Sequence, residues 1–152
     1  MANTYSQIYV QLIFAVKGRA CHINPKWKDE LFKYITGIVS IKKQKLIAIN
    51  GVSDHVHILV GLRPEMSISD LMRDIKSNSS GFINDRKWLK IKFHWQEGFG
   101  AFSYSRSQLS AVINYIRNQE KHHKKKTFRE EYIDFLKKFD VDYDERYLFT
   151  FD

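Results

Sequence analysis

Between Tyr5 and Tyr104 the hydrophobic period of the chain switches between two residues and 3.6, and the order of those switches restricts the fold more than any other feature. From Tyr5 to Val16, Ile8, Val10, Leu12, Phe14 and Val16 alternate with Gln7, Tyr9 and Gln11, the pattern of a strand. Asn24-Pro25 then opens a helix to about Lys42 in which Trp27, Leu31, Tyr34, Ile35, Ile38 and Ile41 form one stripe, with proline tolerated in the first turn. Lys45 to Leu62 holds two strand-like runs separated around Ser53-Asp54, a tight antiparallel hairpin. Ser67 can cap a second helix carrying Ile68, Leu71, Met72, Ile75, Phe82 and Ile83, with a small polar face at Ser77 to Gly81 and a bend or frayed end expected near Gly81. Ile91 to Tyr104 reads as a fourth strand, kinked or bulged at Gly98 and Gly100. Strand, helix, strand, strand, helix, strand is the split βαβ order. The expected class is therefore α+β: a ferredoxin-like (RRM-like) antiparallel sheet with two helices on one face and the other face free for a ligand.

Two helices follow this core. Leu109, Val112, Ile113 and Ile116 make a stripe within about residues 107–122, and Thr127-Phe128-Arg129-Glu130 is a capping box for a helix over about 127–139. The 152 residues, 43% of them hydrophobic, suit one domain spanning 1–152, with its core at about 5–105. A single cysteine, Cys21, excludes an internal disulfide or a cysteine-rich zinc site and agrees with a reducing cytoplasm. No apolar run has the length of a membrane span and the N-terminus lacks a signal-peptide core, so the chain is expected to be cytoplasmic and without a membrane partner.

The net charge is +8, and its distribution matters more than its size. Glu130 to Asp152 contain eight acidic and three basic residues, a net of −5, which leaves +13 on the first 129 residues. Such a field either attracts a polyanion or is a solvated basic surface. Lys17 and Arg19, and the cluster Arg117, Lys121, Lys124, Lys125 and Lys126, are the candidates for contacts to a nucleic-acid backbone.

In Asp54-His55-Val56-His57-Ile58-Leu59-Val60, the alternation points both imidazoles to one face of a strand and Val56, Ile58 and Val60 to the other. Residues two apart on a strand have Cβ atoms about 7 Å from each other, within reach of one divalent ion. Two imidazoles still need a third ligand, and by itself such a pair on a strand is more often surface or hydrogen-bonded structure than a metal site. Downstream, Tyr115 and Gln119 are four residues apart and share a helix face, off the centre of the apolar stripe. Tyr115 there can be a boundary residue or can present its phenol to a cleft.

The Asp-His-Val-His-Ile-Leu-Val run, the Trp95-Gln96-x-Gly98-Phe99 segment and Tyr115-Ile116-x-x-Gln119 together resemble the HUH (His-hydrophobic-His) single-tyrosine transposases of the insertion sequence 200/605 family. The resemblance covers most of the chain, from the first strand through the last helix. It implies that His55, His57 and Gln119 bind a divalent ion, Mg2+ or Mn2+, and that Tyr115 is the nucleophile. The implied reaction cleaves and rejoins single-stranded DNA through a 5′-phosphotyrosine. The implied substrate is the hairpin-containing end of a mobile element. The implied assembly is a homodimer in which the tyrosine helix of one subunit can complete the histidine site of the other. His122, seven residues after Tyr115, is a candidate helper in deprotonating it, or a plain exposed residue.

Two other functions fit parts of this pattern. A non-catalytic single-strand RNA or DNA reader would use a ferredoxin-like sheet with aromatics and basic loops, but it has no need of paired imidazoles. A host-domesticated HUH nickase would keep the chemistry and differ in its biological role, which fold does not reveal.

Overall fold

The computed structural model describes residues 3–151. In chain order the main elements are β1 (Tyr9–Ala15), α1 (Pro25–Ile41), β2 (Lys45–Gly51), β3 (His55–Gly61), α2 (Ile68–Arg86), β4 (Gly100–Tyr104), α3 (Leu109–Arg117), α4 (Gln119–His122) and α5 (Phe128–Lys138). The four strands form one sheet in the order β2-β3-β1-β4, with every neighbouring pair antiparallel. The antiparallel four-stranded sheet with its helices is the α+β architecture expected.

Helix starts are set by local chemistry. Asn24 Oδ1 accepts the Lys26 N–H with Pro25 in the first turn, Ser67 Oγ accepts the Asp70 N–H, and Thr127 and Glu130 form the reciprocal capping box. α2 runs through Gly81 without a break as far as Arg86, contrary to the expected bend, because its apolar stripe continues to a wholly buried Ile83. Within its polar run Ser79 is also wholly buried; its hydroxyl accepts the Trp95 indole N–H at 2.9 Å and donates to the Ile75 carbonyl.

The fourth strand is shorter than its β-prone run. Trp95 forms an isolated bridge to Val16, Gly98 turns the chain at φ 82°, and regular pairing with β1 spans only Gly100–Tyr104. The expected interruption therefore falls at the glycines. Gly100 is required for packing, since a Cβ there would lie 2.8 Å from the Tyr132 ring of α5.

Val10, Leu12 and Phe14 of β1 and Val56, Ile58 and Val60 of β3 face α1 and α2, where they meet Leu31, Ile35, Leu71, Met72 and Ile75 in the main core. The opposite face is not free. Ile13, Ala15 and Phe102 are covered by Phe128, Tyr132, Phe135 and Leu136 of α5, while Ala48 and Leu59 are covered by Val112 and Ile116 of α3. The cause lies in β1 and β3, which carry apolar residues on both faces and are buried on both, so the amphipathic helices after the core dock there. A single-strand reader that stacks bases on an open sheet would find this face occupied.

Candidate active site

The covered face also holds the polar centre of the molecule. β3 directs His55 and His57 into the space under α3 and α5, where both are 0% exposed. The capping box at Thr127 starts α5 so that Glu131, one turn on, points at the sheet and is also buried. Glu131 Oε1 lies 3.1 Å from the Nε2 atoms of His55, His57 and His123 alike. Its other oxygen, Oε2, accepts the Tyr115 hydroxyl and, at 3.2 Å, the Gln119 amide. Gln119 Oε1 in turn accepts His123 Nε2–H at 3.1 Å. One carboxylate thus joins three histidines, a tyrosine and a glutamine contributed by β3, α3, α4 and the connector after α4.

The two imidazoles of β3 are fixed from behind. His55 Nδ1–H donates to Asp54 Oδ1 at 2.7 Å, and its ring stacks at 3.7 Å on Phe128. His57 Nδ1 lies 2.8 Å from the Gln11 amide nitrogen, and the Tyr104 hydroxyl donates to Gln11 Oε1 at 2.7 Å. With Gln11 donating to Nδ1, the His57 proton sits on Nε2 and points at Glu131. For Nε2 to offer a lone pair, that proton must move to Nδ1 and the Gln11 amide must turn over so that its oxygen accepts it. Gln11 therefore sets the His57 tautomer.

Protonation follows from burial and these contacts. Burial would lower the His55 pKa, but hydrogen bonds to Asp54 and Glu131 outweigh it and raise it. Burial lowers His57 despite the pull of Glu131. Burial would raise the Glu131 carboxyl, but the His57 ring and the hydrogen bonds from His123, His55 and His57 hold it far below the usual carboxylate range. Tyr115 is pushed well above an ordinary phenol, first by burial and then by the Glu131 charge. The free protein accordingly keeps the Tyr115 phenol protonated.

The donor set fits a divalent cation. One ligand atom from each of His55, His57 and Glu131 lies within 4.8 Å of the others, a two-histidine, one-carboxylate set. The Asp54 contact places the His55 proton on Nδ1, the outward side, as a carboxylate–histidine–metal arrangement requires. Beside this set, a cavity of about 540 Å³ between α3 and α5, lined by Gln11, Tyr104, Val112, Tyr115, Glu131 and Phe135, leads to the tyrosine hydroxyl.

Of the residues singled out in the sequence, His55, His57, Tyr115 and Gln119 converge here. Gln119, expected as a metal ligand, stands beside Glu131 with its oxygen on His123. Lys17 and Arg19 are exposed in the turn after β1, next to Asp54, whose carbonyl accepts the Val16 N–H. Arg117, Lys121, Lys124, Lys125 and Lys126 are exposed on and after α3, and Lys126 pairs with Asp134 of α5. His122 is half-buried and stacks on the Tyr115 ring at 4.5 Å.

Sequence reasoning missed Glu131 and His123. Glu131 had a readable signal: with Phe128, Tyr132, Phe135 and Leu136 it lies on the buried stripe of α5, an acid at an apolar position. His123 continues the four-residue spacing of Tyr115 and Gln119, although α3 ends at Arg117 and α4 restarts at Gln119.

A buried histidine–carboxylate centre beside a tyrosine, on a four-stranded antiparallel sheet, defines an α+β protein with an enzyme-like site. The family described as IS200-like transposases matches residues 4–119, and the chain belongs to that family, whose members are enzymes acting on DNA. Its fold is similar to a Deinococcus radiodurans R1 protein assigned as a transposase, with 21% identity, 77% of this chain and 94% of that chain covered, and a TM-score of 0.61. It is also similar to a REP-associated tyrosine transposase bound to a REP hairpin, with 16% identity, 80% and 72% covered, and a TM-score of 0.61. No curated protein matches the chain. His123 and Glu131 lie beyond the matched residues 4–119.

Proposed function

We propose that this transposase cleaves and rejoins single-stranded DNA, with Tyr115 as nucleophile and a divalent ion, Mg2+ or Mn2+, held by His55, His57 and Glu131 with Gln119 adjoining. The observation that carries this reading is the hydrogen bond from the Tyr115 hydroxyl to Glu131, the same carboxylate that both histidines share. A bound cation would polarise the scissile phosphate and offset charge on the leaving oxygen.

The chain's own residues do the rest. Tyr115 Oη forms a bond to phosphorus as the P–O3′ bond breaks, giving a 5′-phosphotyrosine and a 3′-oxygen. The phenol loses its proton as the Oη–P bond forms and the departing 3′-oxygen gains one to become a hydroxyl, so the protons balance; Glu131, held as an anion, orients the phenol through Oε2 and does not keep the proton. Reversal by a 3′-hydroxyl rejoins a strand without an external energy source, since one phosphodiester is exchanged for another. His122, stacked on the Tyr115 ring, holds the phenol's orientation. The cavity at Tyr115 admits the strand, and Lys17, Arg19, Arg117, Lys121, Lys124, Lys125 and Lys126 contact its backbone.

Hairpin-bearing element ends are the proposed substrate, by analogy with the hairpin bound to the REP-associated relative. A homodimer is the proposed assembly, although within one chain Tyr115 already reaches Glu131. The test is a denaturing gel of the protein incubated with labelled single-stranded DNA, with and without Mn2+. A metal-dependent protein–DNA adduct that disappears in Tyr115→Phe, with DNA binding retained, is expected. An adduct that persists in Tyr115→Phe would place the nucleophile elsewhere.

A further inference from the structure

A strand whose phosphate meets Tyr115 must lodge the neighbouring nucleotides close by, and the sheet offers their bases no platform, because α3 and α5 cover that face. Between the same two helices lies the cavity of about 540 Å³ at the Tyr115 hydroxyl. Close-packed interiors leave few voids wider than a water molecule, and ligand clefts run from about 300 to 1,000 Å³, so this space is a pocket and not a packing defect. Its walls are largely apolar and held in place. Ala111 and Val112 form the α3 side, Phe135 the α5 side, and Tyr104 and Tyr115 complete it. Phe135 is braced by Phe102 and Phe139, with ring centroids 5.2 and 6.3 Å away. Tyr104 is braced by its hydrogen bond to Gln11 at 2.7 Å and by Phe139, packed edge-on at 5.5 Å. At the exposed rim stands Lys126, the last of the run Lys124-Lys125-Lys126 assigned to the DNA backbone.

We propose that this cavity takes one unstacked nucleobase of the DNA strand, from a nucleotide next to the scissile phosphate, and holds it against the Phe135 and tyrosine rings without selecting among the four bases. This rests on the proposed function and deepens it. The polar groups around the cavity are engaged within the protein. Gln11 is committed at both ends, its nitrogen to His57 and its oxygen to Tyr104. Gln108 Oε1 accepts the Ser105 N–H at 2.9 Å, and Asp134 pairs with Lys126. Stacking and the exclusion of water are left as the attraction, and every base has a π-face, so the grip tolerates any sequence. Anchoring a base also fixes the phosphate joined to it, which holds the phosphorus at the Tyr115 hydroxyl for attack.

The experiment maps the junction of the Tyr115 adduct on a labelled single-stranded DNA in Mn2+, then repeats the reaction on strands with one abasic sugar at each nucleotide flanking that junction. We expect a single flanking position at which loss of the base lowers kcat/KM for adduct formation by at least about tenfold, while exchange among the four bases there changes it by less than about threefold. Ala111→Trp, which fills the cavity from its exposed α3 wall, should lower adduct formation on the intact strand by a similar factor and shrink the abasic penalty to within about threefold. Ser107→Trp, from another exposed position of the lining, repeats this test if Ala111→Trp does not fold. A Tyr115-dependent adduct that is insensitive to every abasic position overturns the inference alone, and this wild-type scan needs no variant. An abasic penalty that stays whole in folded Ala111→Trp and Ser107→Trp places the base elsewhere and overturns it too. No Tyr115-dependent adduct on any strand overturns the proposed function and the inference with it.

Discussion

At the residue scale the molecule turns on one carboxylate. Among the described residues Glu131 is a buried anion with no lysine or arginine hydrogen-bonded to it, and its oxygens are surrounded instead by the Nε2 atoms of three imidazoles, the Gln119 amide and the Tyr115 hydroxyl. Such a group is costly to bury unless its lone pairs are filled, and a cation fills them more strongly than hydrogen bonds do. Wild-type protein should therefore gain about 2.7 kcal/mol of stability at a Mn2+ concentration about 100 times its dissociation constant. Glu131→Gln should gain almost none, as read from thermal melts with and without Mn2+; an equal gain would remove Glu131 from the ligand set. Gln11 gives a second residue-scale prediction, because it sets the proton position on His57. Gln11→Leu should weaken Mn2+ binding by about 10–100-fold, the usual effect of losing a partner behind a metal-bound histidine. Gln11→Glu, which can only accept the Nδ1 proton, should restore binding, and equal affinities in all three proteins would exclude a role for that contact.

At the element scale, α5 both roofs the sheet and delivers Glu131. Phe135, on the same helix, packs against Phe102 of β4, Tyr115 of α3 and the His57 ring, with centroid distances of 5.2, 5.7 and 6.1 Å. Removing it should cost about 3–5 kcal/mol, measured by denaturant unfolding. The same loss should reduce the covalent adduct, because the helix would no longer press Glu131 onto the histidines. In α2 the element overrode a local signal. Gly81 is exposed, lies mid-helix, and would bring an added Cβ within 4 Å of nothing. Gly81→Ala should therefore stabilise the protein by about 0.5–1 kcal/mol. A destabilised Gly81→Ala would indicate that the helix does bend there.

At the scale of the whole molecule, the basic character lies in the first 129 residues, while the acidic C-terminal part supplies α5 and the buried Glu131. If the lysines after α4 contact phosphates, the triple variant Lys121→Ala, Lys124→Ala, Lys125→Ala should flatten the slope of log K against log salt by about 2, at about 0.7 per single-strand phosphate contact. An unchanged slope would assign the DNA track to another face. Assembly can be read by mixing inactive Tyr115→Phe and His57→Ala chains. Since one chain holds the full set of site residues, no recovery of the adduct is expected. Recovery would mean that tyrosine helices exchange between the subunits of a dimer.

Much of this was legible in the sequence because it depends on local chemistry. Alternation and helical spacing mark the strands and helices, Asn24, Ser67 and Thr127 mark the helix starts, and the His-x-His spacing on β3 places two rings on one face whatever the surroundings. Tyr115 and Gln119 share a helix face for the same reason. What the tertiary structure decided was which distant groups meet. Nothing local to Glu131 relates it to histidines more than 70 positions away, and the choice of α5 as the cover of the sheet depends on the apolar second faces of β1 and β3 acting together. His123 likewise acquires its neighbours only when the break at Asn118 and the docking of α5 set its position against Glu131. Periodicity is a property of consecutive residues, whereas a centre shared by four segments is a property of how those segments pack.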